Sequence, residues 1–149
     1  MKDYDIIQHV KGESQFIDDL NVPEGTLFAS VFYSPHAHGK IRSRDLSIAG
    51  SVKGVKGIFT YSDIPGINQI GGIIPDEPLM AEDEVHYIGM PVAVVIADSK
   101  YTAKEAAGFI RIEIDPLEII TDPREAFKKG ELIIPPRIFA RGNTDTTWK

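Results

Sequence analysis

Cysteine is absent from this chain of 149 residues. Its absence removes disulfides, thiolate metal ligands, Cys-held iron–sulfur clusters and cysteine nucleophiles together. Positive charge is scarce as well. Sixteen Lys and Arg stand against 22 Asp and Glu, a formal charge of −6. A surface that tracks phosphates needs clustered cations, so nucleic-acid binding is not expected. The whole deficit lies in residues 61–130, with six basic and thirteen acidic residues, and reads as a solvated acidic face. Long apolar runs are missing too. The longest, Pro91 to Ala97, falls far short of the ~20 residues that span a bilayer. The N-terminus lacks the basic and apolar regions of a signal peptide. A soluble, cytoplasmic protein with no membrane partner is expected. The P-loop, the nucleophile elbow and the zinc-protease helix motif are all absent from the chain.

What is present is ordinary globular composition: 42% hydrophobic and 26% charged residues, in a length that suits one domain. The first fifteen residues show no clean period and read as an extended lead-in. Leu27 to Tyr33 reads as a strand, broken by Ser34-Pro35, and Lys40 to Arg44 as a weaker second strand. Asp45 to Lys53 reads as a short helix capped by Asp45 or Ser47, and Val55 to Thr60 as a strand. Ser62 to Gly66 is a turn. Residues 66–80 are punctuated by glycine and proline and read as a long loop, a feature often functional or packed on a neighbour.

The segment from Val92 onward has the clearest pattern. Val92 to Ala97 is continuously apolar, as in a strand buried on both faces. A helix follows, capped by Ser99 or by a Thr102-x-x-Glu105 capping box, with Ala103, Ala106, Ala107 and Ile110 on one face. The period then switches to two, with Ile110, Ile112 and Ile114 alternating with Arg111, Glu113 and Asp115. A strand–helix–strand unit of this kind usually joins parallel strands. Asp122 to Gly130 carries helix punctuation throughout: an Asp cap, Pro in the first turn, basic residues in the last, and a stopping Gly. Residues after Leu132 read as a linker. Trp148, the sole tryptophan, fits a chain cut short better than a polar tail.

Chemistry-bearing residues are few. His36 and His38 form an H-x-H pair, and in extended backbone i and i+2 point the same way. A zinc site needs a third ligand that no spacing here supplies, so no metal residue is assigned. His9 and His86 read as surface or edge residues, and Glu82-Asp83-Glu84 as solvated loop charge.

Several pieces nevertheless stand in a familiar order. They are Phe16-Ile17-Asp18-Asp19, the stretch Ala29 to Ile41 centred on Ser34-Pro35-His36-Ala37-His38, Gly54-Val55 to Thr60, and Ser62-Asp63-Ile64-Pro65-Gly66. Then come Val85-His86-Tyr87-Ile88-Gly89-Met90-Pro91 running on to Ala97, Ala103-x-x-Ala106-Ala107, and Ile112-Glu113. Over roughly residues 8–133 the chain resembles the N-terminal α/β-hammerhead domain of the molybdenum-binding subunit of the xanthine dehydrogenase / aldehyde oxidase family.

The resemblance implies an α/β (α+β) hammerhead with a mixed sheet, a strand–helix–strand unit at 92–114 and short flanking helices. The implied layout is a lead-in at 1–15, the hammerhead at 16–133, and a linker at 134–149 toward a downstream molybdenum-cofactor domain. It implies a parent enzyme that hydroxylates purines, other N-heterocycles or aldehydes with water as oxygen source. That enzyme would use molybdopterin, iron–sulfur clusters and often FAD, all held by other domains or subunits. No catalytic, cofactor-binding or metal residue transfers to this chain, so no activity is expected from it alone. His36, His38, Tyr87, Gly89, Met90 and Pro91 are the residues expected at a domain interface; Met90 departs from the Gln common in that family. Partners would be the molybdenum, iron–sulfur and flavin parts, with self-association when isolated. The alternatives are a stand-alone interaction module on a hammerhead scaffold and a small metal-binding protein using His36 and His38.

Overall fold

The computed structural model describes residues 4–147. It opens on helix α1 (Tyr4–Lys11), where an extended lead-in is expected. Ile6, Ile7 and Val10 recur at i, i+1 and i+4, a helical spacing, and Glu13 N–H donates to the Gln8 carbonyl beyond its end. Strand β1 (Phe28–Tyr33) follows as its β-favouring and aromatic content predicts, and strand β2 (Gly39–Asp45) covers the weakly alternating Lys40 to Arg44. Helix α2 (Ser47–Ser51) and strand β3 (Val55–Phe59) come next.

Residues 66–80 form no helix or strand. Asn68 holds the base of this loop, its side-chain amide donating to Met80 O and its carbonyl accepting from Met80 N–H. Strand β4 (Glu84–Val85) and strand β5 (Pro91–Ala97) lead into helix α3 (Lys100–Gly108) and strand β6 (Arg111–Pro116). Ser99 is the cap of α3: its Oγ accepts from Thr102 N–H at 3.0 Å. Thr102 therefore lies inside the first turn, and the expected Thr102–Glu105 capping box is corrected. Helix α4 (Pro123–Lys129) has Asp122 as its cap, accepting from Arg124 N–H, as its punctuation predicts. A four-residue helix α5 (Thr144–Thr147) interrupts the expected linker. Trp148 lies outside the described residues.

The mixed α and β content and the strand–helix–strand unit stand as expected, but the strand pairing does not. The described residues form two three-stranded sheets, ordered β1-β5-β3 and β4-β2-β6, and every pairing in them is antiparallel. The strands flanking α3 fall in different sheets, so the helix passes the chain from one sheet to the other and joins no parallel pair. A period of two marks Arg111 to Pro116 as half-buried strand but does not name its partner.

Two units make up the chain, Met1–Pro116 and Leu117–Lys149. In the first, the alanine face of α3 packs against β1 and β5. One apolar cluster holds Ala49, Ala93, Val95, Ala106, Ala107 and Ile110. A second holds Ala81, Val85, Met90 and Val92 against Ile41, Ile112 and Ile114, and Phe32 packs on both clusters. In the second unit none of the described residues is buried.

Asp45, at the end of β2, serves the start of α2. Its Oδ1 accepts from the Ser47 hydroxyl at 2.6 Å and from Ser47 N–H at 2.9 Å. These bonds, the hydroxyl's first, hold its carboxyl below the ordinary aspartate value against a smaller opposing effect of desolvation. A depressed folded pKa contributes stability present above the unfolded pKa and lost as pH falls through the folded one. Asp45→Ala is thus expected to lower the thermal midpoint slightly at neutral pH, with the gap closing below about pH 4. Melts at both pH values check this; an equal gap at each would contradict it.

Candidate functional site

The residues expected at an interface gather where two turns meet. The first runs from Tyr33 through Ser34-Pro35-His36. The second is the turn Tyr87 to Met90, closed by Met90 N–H donating to Tyr87 O at 3.2 Å. Gly89 sits in this turn at φ +90°, a conformation that costs an L side chain strain. Ser34 joins the two turns. Its N–H donates to Met90 O at 2.8 Å, and its carbonyl accepts from Gly89 N–H at 2.9 Å. Its buried hydroxyl bonds both backbone groups of His36. His36 and Tyr87 are exposed, while His38, Gly89 and Pro91 are half-buried. Met90 departs from the expectation: its side chain is 1% exposed and packs inside the core, so its side chain presents no surface.

The H-x-H pair is not what assembles. Residue 38 directly precedes β2, and β4 pairs antiparallel to β2 with Gly39 opposite Val85 and Lys40 opposite Glu84. That register sets residue 38 across from residue 86. Period two puts Glu84 and His86 on one side of their strand. The result is a three-residue group. His38 Nε2 lies 2.8 Å from Glu84 Oε1, and His86 Nδ1 lies 3.5 Å from the same oxygen. The two imidazole centroids are 6.2 Å apart. His36 is not in the group, so the alternative of a metal held by His36 and His38 together does not describe this geometry. Glu84 and His86, read as loop charge and edge residue, are the partners that do arrive.

The strand carrying Glu84 is short, and its neighbours hold it in place. Arg44 donates from Nη2 to the carbonyls of Ala81 and Glu82, and its guanidinium lies over the Tyr61 ring, 5.0 Å from the centroid. Ile41 N–H donates to Asp83 O, and Ala81 N–H to Pro91 O, each at 2.8 Å. Nothing in the local sequence marks Arg44 for this task. Its signal is the three-dimensional approach of residues 81–82.

Large apolar side chains stand in solvent elsewhere. In the loop after β3, Ile67 is 87% exposed and Ile73 is 97% exposed; in the second unit Ile133 is 90% and Phe139 is 92%. No helix among the described residues is long and apolar enough to cross a membrane.

Residues 11–118 match the family described as "Aldehyde oxidase and xanthine dehydrogenase, a/b hammerhead domain". The chain is 40% identical to xanthine dehydrogenase of Oryza sativa subsp. japonica over 121 residues, which is 81% of this chain and 9% of that enzyme. It is 38% identical over 125 residues to the nicotinate dehydrogenase large molybdopterin subunit of Eubacterium barkeri, covering 84% of this chain and 29% of that subunit. Its fold superposes on quinoline 2-oxidoreductase from Pseudomonas putida 86 with a TM-score of 0.72 and 29% identity, over 86% of this chain and 17% of that one. The chain thus spans a small part of the length of these proteins. By its matched residues and its fold, it belongs to the α/β-hammerhead domain family of aldehyde oxidases and xanthine dehydrogenases.

Proposed function

We propose that this chain is the structural N-terminal part of a molybdenum hydroxylase of the xanthine dehydrogenase / aldehyde oxidase type. It packs on the molybdenum and iron–sulfur parts of that enzyme and carries no catalysis alone. The enzyme, in the cytoplasm, hydroxylates purines, other N-heterocycles or aldehydes with water. The layout is a lead-in at 1–15, a hammerhead at 16–133 and a connecting segment at 134–149. The observation that carries this reading is the family match across residues 11–118 in a chain that spans 9% of a curated xanthine dehydrogenase. The apolar groups of the second unit, none of them buried, support it. An element with an apolar face is stable only when that face meets another.

The residues present do not fit a molybdopterin. Such a ligand needs several convergent polar groups in an enclosed site. Among the described residues the buried polar side chains are Ser34 and Thr60. Both are already engaged in their own turns, Ser34 with His36 and Thr60 with Ser62 and Asp63. No catalytic step is assigned to this chain, and in this reading the parent enzyme's molybdopterin, iron–sulfur clusters and FAD are held by its other parts.

The purified 149-residue chain is expected to carry no molybdopterin, to hydroxylate neither xanthine nor an aldehyde, and to self-associate through its apolar surface in sedimentation. Coding sequence beyond Lys149, or in an adjacent gene, is expected to encode the molybdenum-binding domains. Hydroxylase activity from the chain alone, or no such coding sequence nearby, would overturn the reading.

A further inference from the structure

We propose that His38, Glu84 and His86 form a binding site for a borderline divalent cation of the zinc class. The inference rests on the geometry of the group and does not depend on the parent enzyme. Each residue offers a donor atom, and the three atoms lie within 4.8 Å of one another. Two imidazoles and one carboxylate are a recurring zinc donor set, completed by water in the fourth position. Donors about 2.0–2.1 Å from a tetrahedral ion stand roughly 3.3–3.4 Å apart. The 2.8 Å and 3.5 Å separations about Glu84 Oε1 bracket that spacing, and the two imidazole nitrogens, within 4.8 Å of each other, need to close by at most about 1.5 Å to share the ion. The ion would take the place of the hydrogen bond between His38 and Glu84.

Backbone geometry already supplies most of the positioning. His38 and His86 face each other across the β2–β4 ribbon, and Glu84 shares the side of His86. Residues 81–83, directly before Glu84 and His86, are tied by the Arg44 bonds to the Ala81 and Glu82 carbonyls and by the Ile41 bond to the Asp83 carbonyl. Preorganised ligands lose less freedom when the ion arrives. Glu82 and Asp83 add negative charge just before the site and favour a cation over an anion. Lys40, opposite Glu84 in the register, is the nearest cationic position along the ribbon and counts against the site by one charge. His38 and Glu84 are half-buried and His86 is exposed, so the ion has an open path of entry. Bound there, it would clip the start of β2 to the Tyr87–Met90 turn.

The test titrates the full 149-residue chain with zinc alone, in competition with a chromophoric chelator. A single equivalent is expected to bind, and to raise the thermal midpoint because only the folded chain holds the three ligands together. His86→Ala removes an exposed ligand without touching the core. It is expected to weaken zinc binding by at least about tenfold and to abolish the thermal shift. His36→Ala, at a residue outside the group, is expected to change neither. Failure of the parent chain to bind zinc would overturn the proposal. So would a His86→Ala chain that binds as tightly as the parent, or a His36→Ala chain that loses as much affinity as His86→Ala. None of these outcomes bears on whether the chain belongs to a molybdenum hydroxylase.

Discussion

Truncating Ile110 to alanine is expected to lower the unfolding free energy of the first unit by about 3–5 kcal/mol. Ile110 is 1% exposed and lies between the end of α3 and the start of β6. It packs in the cluster with Ala93, Val95, Ala106 and Ala107. Three carbons are removed, worth about 0.8 kcal/mol each in transfer alone. The buried members that remain are alanines and Val95, with larger side chains such as Phe32 and Leu46 only at the cluster's partly buried margin, and the short side chains cannot reach across to fill the space. The cavity left behind therefore adds to the transfer loss. Domains of this size have only about 5–15 kcal/mol to lose. Urea unfolding followed by circular dichroism checks the value. Ile73→Ala, at a side chain 97% exposed, is the contrast and should change stability by less than about 0.5 kcal/mol. A similar small loss for Ile110→Ala would mean that the helix–sheet seam is not the core it is described as.

Adding a single methyl group at Gly39 is expected to cost about 2–3 kcal/mol. Gly39 is buried in the central strand of the β4-β2-β6 sheet, paired to Val85 on one side and Pro116 on the other. A Cβ there would overlap the Ile114 Cγ2 methyl and stand 2.6 Å from the Asp115 carbonyl oxygen. The Ile114 side chain can rotate away. The carbonyl belongs to the backbone of β6, and moving it separates two strands. A sheet edge would yield at lower cost, but this strand has neighbours on both sides. Gly39→Ala should therefore lower the urea midpoint and, by displacing the adjacent residue, weaken zinc binding at His38. Unchanged stability with unchanged zinc affinity would show that β2 and β6 approach less closely than described.

The segments legible in the sequence were those with a local cause. Ser99, Asp122 and the alanine face of α3 act within a few residues of where they stand, through caps and helical periodicity. The apolar run of β5 was legible because a strand covered on both faces needs no partner to explain its composition. The family was legible from an ordered set of short segments, each unspecific alone. The misreadings share one cause as well. Helix α1 carries its spacing signal in only three apolar residues, too few to stand out against a polar background. Strand β4 is two residues long and exists because β2 lies beside it. Strand β6 looked like the second half of a parallel pair because alternation reports burial and not the identity of the neighbouring strand.

The same division holds for the candidate site. Composition alone excluded thiolate chemistry and disfavoured phosphate-tracking surfaces, since both depend on residue types the chain lacks or has in deficit. The histidines were visible, and so was their residue type's capacity to hold a metal. Which of them meet was decided by tertiary structure. His38 finds Glu84 across 46 positions of chain, through a register set by two backbone pairings. His36, two residues away, is held instead by the Ser34 hydroxyl. Local propensities fix which segments become helix or strand, because their energies arise within a few residues. Convergence of side chains depends on long-range pairing, whose stabilisation comes from packing and ladder bonds that no short stretch of sequence contains.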